Sequence, residues 1–529
     1  MILNTQLMAN LITHSPILII AIPLLAAFLT PLIDRASKKA RDILVVASLA
    51  FVEFLVIILA RDIYLNGLHV YTLGASSPNL TIPENYIVPV RIILEVDSMS
   101  IFMAIITATV SLAAAIYSLS FMKEETGQSR FYTLLLLLVA GMFGMELTGD
   151  LFNLFVFLEI ASIAGAALTA FRTRFADAAE GGLKYIVISS AAALMVLFAI
   201  GILYAQYNLL NVGALAQVMQ YTMLDKIALA LLVIAFAMKL GAIPLHMWVP
   251  DTYTVAPAGI SAMLVVASQA SMYALFRTCF TLFGITLNMY TVGWIVIIFG
   301  MLSMFVGVTM AIPQIDIKRL MSYHAISQSG YMLLGVGVGL AVLGNPEALA
   351  TYGRAAMSGG IFHIINHAMY KGLLFLTAGA LFYRVGHRDL NRMGGLAHKM
   401  KWTAIFYIIG ALSISGIPPS NGFASKLLIY ESVYRFNPIL AIVAMITSIL
   451  TLASFTKAFY SAFMGAELPE YQEVKEAPKS MIAGMAILAA GIIFFSLFPG
   501  LIVDWLAHPA ADALISQGAY INGIMGGGG

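Results

Sequence analysis

Cysteine is almost absent from this chain, and charge is scarce. The 529 residues include one cysteine, Cys279, and no Cys-x-x-Cys pair. These absences exclude an intrachain disulfide, iron–sulfur clusters held by thiolates and cysteine-type zinc sites. If the protein takes part in redox chemistry, we expect the redox centre to lie on another chain. We interpret Cys279 as a small buried apolar residue, and we expect no cofactor in this chain.

Charged residues make up only 10% of the sequence, whereas hydrophobic residues make up 61% and the mean hydropathy is +0.93. A soluble domain carries roughly a quarter charged residues. The composition therefore predicts an all-α polytopic membrane protein. The net charge of +2 comes without a basic face or stripe, so nucleic acid is not expected as a partner. The N-terminus lacks a basic segment before its apolar run, which favours a first membrane helix over a cleaved signal.

Apolar runs long enough to cross about 30 Å of hydrocarbon predict about 14 membrane spans. They fall near residues 15–34, 42–60, 98–120, 131–147, 150–171, 183–205, 226–248, 256–280, 288–311, 319–342, 357–384, 402–434, 438–464 and 480–506. A polar, strand-like stretch between Tyr64 and Arg91 is expected to fold back on one membrane face. The tail after Trp505 is expected to be short, with frayed glycines at 526–529.

Basic residues concentrate in the loops that follow odd-numbered spans. Those loops hold 18 Lys and Arg residues, whereas the loops after even-numbered spans and their edges hold 6. The positive-inside rule then places the odd loops in the cytoplasm and both termini outside. We expect a multi-pass protein of the cell (plasma) membrane.

Two of the predicted spans are interrupted, and both carry a lysine. Span 7 contains KLGAIP with Lys239, and span 12 contains SGIPPSNGFASK with Lys426. Span 12 is the fifth span after span 7, an odd number of crossings, so the interrupted helices run in opposite directions. Interrupted helices at matching places in two halves indicate inverted repeats with a functional site near the membrane midplane. Freed backbone groups are tolerated there only where protein or a water-filled cavity satisfies them.

Glu159 and Lys239 are the first candidate pair inside the membrane. Glu159 lies in the middle of the apolar segment NLFVFLEIASIAG. A buried carboxylate needs a cationic partner, and Lys239 is the natural candidate. The alternative is a purely structural ion pair. A buried lysine readily changes its proton affinity, so a pair that opens and closes is a plausible switch for proton transfer.

Span 11 carries a row of polar residues on one helix face. His363, His367 and Lys371 are spaced i, i+4, i+8 in IFHIINHAMYKGLLF. A proton relay, a structural polar stripe and a metal site are three alternatives, and histidine chemistry favours the relay. His324 in span 10 extends the polar line, and Lys426 is a candidate terminal exchange site. His246 either joins the row or hydrogen-bonds carbonyls freed by Pro244.

Several motifs together resemble the antiporter-like subunits of respiratory complex I and of Mrp-type sodium/proton antiporters. They are GDLFNLFVFLE, KLGAIPLHMWVPDTY, DIKRLMSYHAISQSGYMLLG, IFHIINHAMYKGLLFLTAG and SGIPPSNGFASK. The match looks closest to the Mrp D-type subunit and its counterparts in membrane-bound hydrogenase-type complexes. It covers at least spans 4 to 13, and the chain resembles the shorter members, which lack a long lateral helix.

The resemblance implies two inverted five-helix repeats, spans 4–8 and 9–13, each with a broken helix. It divides the chain into an N-terminal part (1–125) with three spans and an outer-face loop, a first repeat (126–285), a second repeat (286–465), and span 14 with a short tail (466–529). It also implies that Glu159, Lys239, His363, His367, Lys371 and Lys426 carry protons along a central hydrophilic axis.

The implied partners are other antiporter-like and small membrane subunits, a peripheral redox module, H⁺ and, as an open question, Na⁺. The chain itself is expected to hold no catalytic centre, but to serve a hydrogenase-type or NADH:quinone oxidoreductase-like complex. Many relatives place a lysine or histidine in the middle of helix 8, where this chain has Gln269. A neutral amide cannot hold a proton, so a non-pumping structural subunit stays an alternative, as does a stand-alone secondary transporter.

Overall fold

The computed structural model describes residues 2–74, 92–284 and 288–525, and most of them are helical. The helices are α1 (Ile2–Ala36), α2 (Lys38–Asn66), α3 (Ser98–Phe121), α4 (Gln128–Leu147), α5 (Leu151–Thr169), α6 (Ala176–Tyr207), α7 (Val212–Val218), α8 (Met223–Leu240), α9 (Trp248–Val255), α10 (Ala258–Phe276), α11 (Met289–Ala311), α12 (Ile317–Ala341), α13 (Pro346–Ala348), α14 (Arg354–Val385), α15 (Lys401–Ser415), α16 (Asn421–Phe436), α17 (Pro438–Phe459), α18 (Lys479–Leu497), α19 (Pro499–Ile502), α20 (His508–Ile515) and α21 (Gln517–Met525).

Short π-helical and 3₁₀ segments extend or connect these helices. The π segments are Arg277–Phe283, Leu349–Gly353, Tyr460–Met464 and Val503–Ala507, and the 3₁₀ turns are Leu390–Arg392, Leu396–His398 and Pro469–Tyr471. Two strands, β1 (His69–Thr72) and β2 (Ile93–Val96), pair antiparallel. β1 lies inside the stretch predicted to be strand-like, Tyr64 to Arg91, and β2 follows it. Residues 75–91 of that stretch lie outside the described part of the chain, as do the glycines at 526–529.

Ten helices in the described residues are long and apolar enough to cross a membrane. They are α1 to α6, α10, α11, α17 and α18. The prediction of an all-α polytopic membrane protein is confirmed at this level. The other four predicted spans correspond to α12, α14 and the two interrupted helices, α8 with α9 and α15 with α16. These four are broken or carry the polar residues of the candidate site.

The α14 helix lies at the centre of the molecule. It packs against α3, α10, α12, α15, α16 and α18, and every residue from Ala356 to Leu381 is buried. The peripheral helices instead expose large apolar side chains such as Phe28, Phe198 and Ile449. A polar residue on α14 is therefore enclosed by protein and not by lipid, which is the usual setting of functional polar groups in membranes.

The tight turn predicted between spans 4 and 5 is present and is held by the small sheet. Gly149 N donates to Ile93 O at 3.0 Å, and Thr148 forms a bridge with Leu94. The Asp150 side chain caps α5 by accepting from Asn153 N at 2.7 Å. This turn fixes the start of the helix that carries Glu159.

The C-terminal part differs most from the prediction. Span 14 was expected to reach residue 506, but α18 ends at Leu497 because Pro499 lacks a backbone donor and restricts the residue before it. The tail folds into α20 and α21. These two helices pack against α14 and α7, respectively. Both are short, so hydrophobic run length does not predict them.

Candidate functional site

Lys239 lies in the last turn of α8, next to the first interruption. The helix ends at Gly241, whose φ of +76° is the left-handed conformation that favours glycine. Trp248 Nε1 donates to Met238 O at 3.0 Å, and Ile243 N donates to Ser303 Oγ at 3.0 Å. The backbone groups freed by the break are thus partly satisfied by protein, as required inside a membrane.

Glu159 and Lys239 are neighbours, but they do not form the predicted direct ion pair. Lys239 Nζ donates to Ser162 Oγ, and Ser162 lies one turn beyond Glu159 on α5. Among the described side chains, no ion pair within 4.0 Å joins Glu159 to a cation. Glu159 is still close enough for its charge to act on Lys239, and its Oε1 is buried without a hydrogen-bond partner. The Ser162 hydroxyl, which itself donates to Leu158 O, is therefore the side-chain group that Lys239 contacts.

His246 lies inside the same interruption, between Pro244 and α9. Its side chain is half-buried, and its ring lies close to the Pro244 backbone carbonyl. Nδ1 is enclosed without a hydrogen-bond partner among the described residues. The position places a second ionisable group near Lys239 in sequence. No hydrogen bond between the described side chains connects it to the lysine.

Gln269 joins α10 to the central helix. Its Nε2 lies 2.9 Å from His367 Nδ1 and donates to Ile364 O at 3.0 Å. Both side chains are fully buried. The neutral residue at the predicted gap therefore contacts the histidine row directly.

His363 is the centre of a hydrogen-bonded group that connects three helices. Its Nδ1 lies 2.9 Å from Ser425 Oγ on α16, and its Nε2 lies 3.2 Å from Gln328 Oε1 on α12. The Tyr370 hydroxyl lies 3.1 Å from the same Nε2, while the Tyr370 ring packs edge-on against His367 at 5.6 Å between centroids. Tyr370 thus stands between the two histidines.

Lys371 and His324 lie on facing sides of α14 and α12. Lys371 Nζ donates to Met321 O at 2.9 Å and lies 5.5 Å from the centre of the Phe455 ring. His324 Nε2 lies 2.8 Å from Ser454 Oγ. Lys371 has no carboxylate partner within 4.0 Å among the described residues, so its ammonium relies on a carbonyl and an aromatic face.

Lys426 occupies the second interruption in a way that resembles Lys239. It belongs to α16, yet its ammonium donates to Ile414 O in the last turn of α15, at 2.8 Å, and to Ser448 Oγ at 3.0 Å. It also lies 4.7 Å above the Tyr331 ring. Gly416, with a φ of +71°, ends α15 as Gly241 ends α8. Lys426 follows its break in sequence, whereas Lys239 precedes its break. Both ammonium groups nevertheless lie at the C-terminal end of the half-helix that comes before the break.

The structure brings the second-half residues together more tightly than the first. Ser425, the residue next to Lys426, contacts His363, and Gln269 connects α10 to His367. Between Lys239 and Gln269, no direct side-chain hydrogen bond occurs in the described part of the chain. The predicted row is thus a series of separate hydrogen-bonded groups around Lys239, His367, His363, Lys371 and Lys426.

Two further carboxyl groups of the membrane-spanning helices, those of the buried Glu146 and the partly buried Glu53, were not predicted from the sequence. Thr107 of α3 donates to Glu146 at 2.6 Å, and Thr109 of the same helix donates to Glu53 at 3.0 Å. Each glutamate leaves its Oε2 buried without a partner. Glu53 lies in the apolar run LAFVEFLVII, so the criterion applied to Glu159 would have found it. Glu146 precedes the LTGD turn and looks interfacial in sequence.

Among the described residues, no three His, Cys, Asp or Glu side chains are grouped so that they could hold a metal ion. His363 and His367 have serine, glutamine and tyrosine neighbours instead.

Two family models match most of the chain and show the protein family to which it belongs. Residues 148–451 match the model described as NADH:quinone oxidoreductase/Mrp antiporter, and residues 87–132 match the model for the N-terminus of NADH-ubiquinone oxidoreductase (complex I) chain 5. The chain belongs to the NADH:quinone oxidoreductase/Mrp antiporter family. The first match includes Glu159, Lys239, His363, His367 and Lys426. The predicted resemblance is confirmed.

Individual relatives of this antiporter family member extend over most of its length. It is 34% identical over 478 residues to the D-type subunit of the Na⁺/H⁺ antiporter of Alkalihalophilus pseudofirmus, covering 89% of this chain and 91% of the relative. It is 32% identical over 509 residues to the N-type subunit of the NADH-quinone oxidoreductase of Desulforudis audaxviator, covering 92% and 96%. A protein of the Mrp complex from Dietzia sp. has the same fold, with a TM-score of 0.85, 23% identity and coverage of 98% and 100%.

Proposed function

We propose that this chain is the proton-translocating, antiporter-like membrane subunit of a multi-subunit ion pump or antiporter. The observation that carries the proposal is the set of buried ionisable residues along the centre of the fold. Lys239, Lys371 and Lys426 are enclosed by protein, and none has a carboxylate within 4.0 Å among the described residues. Unpaired buried lysines are costly unless they change their charge state, which is what proton transfer requires.

The proposed path runs in the membrane plane. A signal from a neighbouring subunit reaches Glu159 and alters its influence on Lys239. Protons then move along His367, His363 and Lys371 toward Lys426, with His324 and His246 as auxiliary groups. In the first half Lys239 contacts Ser162 of α5 and not Glu159 of the same helix, so a displacement of α5 against α8 would exchange one partner for the other.

The proposed architecture is about 14 spans with inverted repeats at 126–285 and 286–465, between an N-terminal part (1–125) and a last span with its tail (466–529). The equivalent placement of Lys239 and Lys426 at the ends of half-helices supports it. The excess of basic residues in odd loops favours the plasma membrane with both termini outside. The named relatives indicate two parent assemblies, a Na⁺/H⁺ antiporter or a quinone oxidoreductase. A peripheral redox module and Na⁺ are thus candidate partners.

The Lys239→Ala variant tests the proposal in the assembled complex. We expect coupled proton transport in membrane vesicles to fall by at least about tenfold, since one proton-binding site is lost. Lys226→Ala is the matched control, because Lys226 lies in the first turn of the same helix and is exposed. Unchanged transport in Lys239→Ala would contradict the proposal.

A non-pumping structural subunit is the second candidate, and Gln269 is the observation that favours it. An amide at the contact between the two halves cannot itself carry a proton. Transport that survives both Glu159→Gln and Lys426→Ala would favour this role.

A further inference from the structure

The orientation of the Gln269 amide is fixed by one backbone group. The atom that lies 3.0 Å from Ile364 O and 2.9 Å from His367 Nδ1 is the amide nitrogen. A carbonyl oxygen can only accept a hydrogen bond, so the amide atom facing Ile364 O must be the donor. An inverted amide would place two oxygens against each other in a fully buried site, which is strongly unfavourable.

This orientation determines where His367 carries its proton. The two hydrogens of Gln269 Nε2 point to Ile364 O and to His367 Nδ1. His367 Nδ1 must therefore accept, which leaves the ring neutral with its proton on Nε2. That Nε2 is buried and has no protein partner among the described residues.

We propose that Gln269 is a positioning residue that holds His367 in the neutral, Nε2-protonated tautomer and so gates proton passage between the two halves. The inference rests on the proposed function and names Gln269 as the residue that controls proton passage. A proton arriving from the Lys239 side cannot bind Nδ1 while an N–H group occupies it. When the amide turns away from Nδ1, this nitrogen can bind the incoming proton, and the original proton then leaves from Nε2. Completion of the 180° rotation presents Oε1 to the new Nδ1–H group, which donates to it.

Each passage therefore needs an amide rotation and leaves the ring protonated on Nδ1. The starting tautomer returns only when Nδ1 releases that proton and Nε2 takes up another one. The rotated amide loses its hydrogen bond to Ile364 O, so the closed orientation is the resting one. The other groups around His367 do not replace this control. His363 and Lys371 lie one turn away on the same helix, and Tyr370 presents its ring to His367 while its hydroxyl is directed to His363.

Gln328 provides an internal contrast. It presents its carbonyl Oε1, and not its amide nitrogen, to His363 Nε2 at 3.2 Å. His363 then donates through Nε2, and its Nδ1 faces the Ser425 hydroxyl at 2.9 Å, a group that can donate or accept. His363 can exchange protons through a hydroxyl at Nδ1, whereas in the described part of the chain His367 Nδ1 faces the N–H group of Gln269. The block is specific to Gln269.

Nitrogen-15 NMR of histidine-labelled protein in the intact complex tests the inference. The His367 signals are assigned by difference with His367→Gln. In the wild-type protein we expect an unprotonated Nδ1 and a protonated Nε2. In Gln269→Glu, a carboxylate acceptor should move the proton to Nδ1. In Gln269→Met, loss of the donor should raise the Nδ1-protonated fraction about fivefold or more, as expected for one lost hydrogen bond.

Gln328→Met is the matched control and should change the His363 signals but not those of His367. A wild-type His367 protonated on Nδ1 would overturn the inference, and this result needs no Gln269 variant to fold. Unchanged His367 signals in both Gln269 variants would also overturn it. These spectra do not depend on transport, so a failure of the gate and a failure of the proposed function are distinguishable.

Discussion

Glu95 shows how strongly burial acts on single residues of this chain. It lies in β2 with no exposed surface, and its Oε1 accepts a 2.6 Å hydrogen bond from Asn211. The carboxyl group packs against Gly149, where a Cβ atom would lie 2.1 Å from its Cδ. Burial raises the pKa of Glu95 from 4.5 to about 8, although Arg277 opposes the shift. The group is therefore neutral in the folded protein near pH 7.

Glu95 should make the folded state less stable as pH rises. Between pH 4.5 and about 8 the folded protein keeps a proton on Glu95 that the unfolded chain has lost. The contribution of Glu95 to the free energy of unfolding is therefore complete below pH 4.5 and is lost as the pH rises to about 8. We expect thermal denaturation in detergent to show this decline, on the order of a few kcal/mol. Glu95→Gln should flatten it, and exposed Glu473→Gln should not. An equal dependence of stability on pH in the wild-type protein and in Glu95→Gln would contradict a raised pKa for Glu95.

The residue types of the site were predictable, but their contacts were not. Apolar runs interrupted by Glu159, Lys239, His363 and Lys426 identify these residues, because charge inside a membrane is costly. Whether Glu159 touches Lys239 depends on the rotation of α5 against α8. That rotation cannot be read from the sequence, so Ser162 was not predicted as the residue that contacts Lys239.

At the scale of elements, the two interruptions depend on glycine. Gly241 ends α8 with a φ of +76°, and a Cβ atom there would lie 2.4 Å from Val249 Cγ2. Gly416 ends α15 with a φ of +71°. A residue with a Cβ atom would be strained at either position because of the positive φ. At Gly241 the Cβ atom would also clash with Val249. Both breaks were predictable from their glycine and proline residues, whereas α7 and α21 are too short to leave such a pattern.

Gly241→Ala should destabilise the protein by at least about 1–2 kcal/mol, the cost of the left-handed conformation for a residue with a Cβ atom. Displacement of Val249 adds to this cost. Gly201→Ala in α6 is the control, since a Cβ atom there meets nothing within 4 Å, and alanine is the better helix former by about 0.5–1 kcal/mol. Thermal unfolding in detergent measures both. A Gly241→Ala protein as stable as Gly201→Ala would show that the break needs no glycine.

At the scale of the whole molecule, the distribution of basic residues predicts the orientation. Lys123 follows α3 and Lys226 begins α8, and both side chains are exposed. The positive-inside rule places Lys123 in the cytoplasm and Lys226 outside. Packing alone does not distinguish the two faces, because the same helices would pack equally well in either orientation.

Cysteine labelling of intact cells checks this orientation. A membrane-impermeant maleimide should label Lys226→Cys and not Lys123→Cys, and permeabilised cells should show labelling of both. The wild-type chain is a suitable background, because Cys279 is only 1% exposed, and burial in apolar surroundings makes a thiol unreactive. Labelling of Lys123→Cys alone in intact cells would show that the orientation is the opposite of the predicted one.

The matched positions of Lys239 and Lys426 have an electrostatic consequence. The peptide dipoles of a helix sum to roughly half a negative charge at its C-terminal end. Lys239 lies in the last turn of α8, and the Lys426 ammonium reaches the last turn of α15. Each broken helix thus supplies its lysine with a fixed negative potential. A backbone counter-charge of this kind cannot be titrated or displaced, so either lysine can hold a proton even when no carboxylate side chain is near.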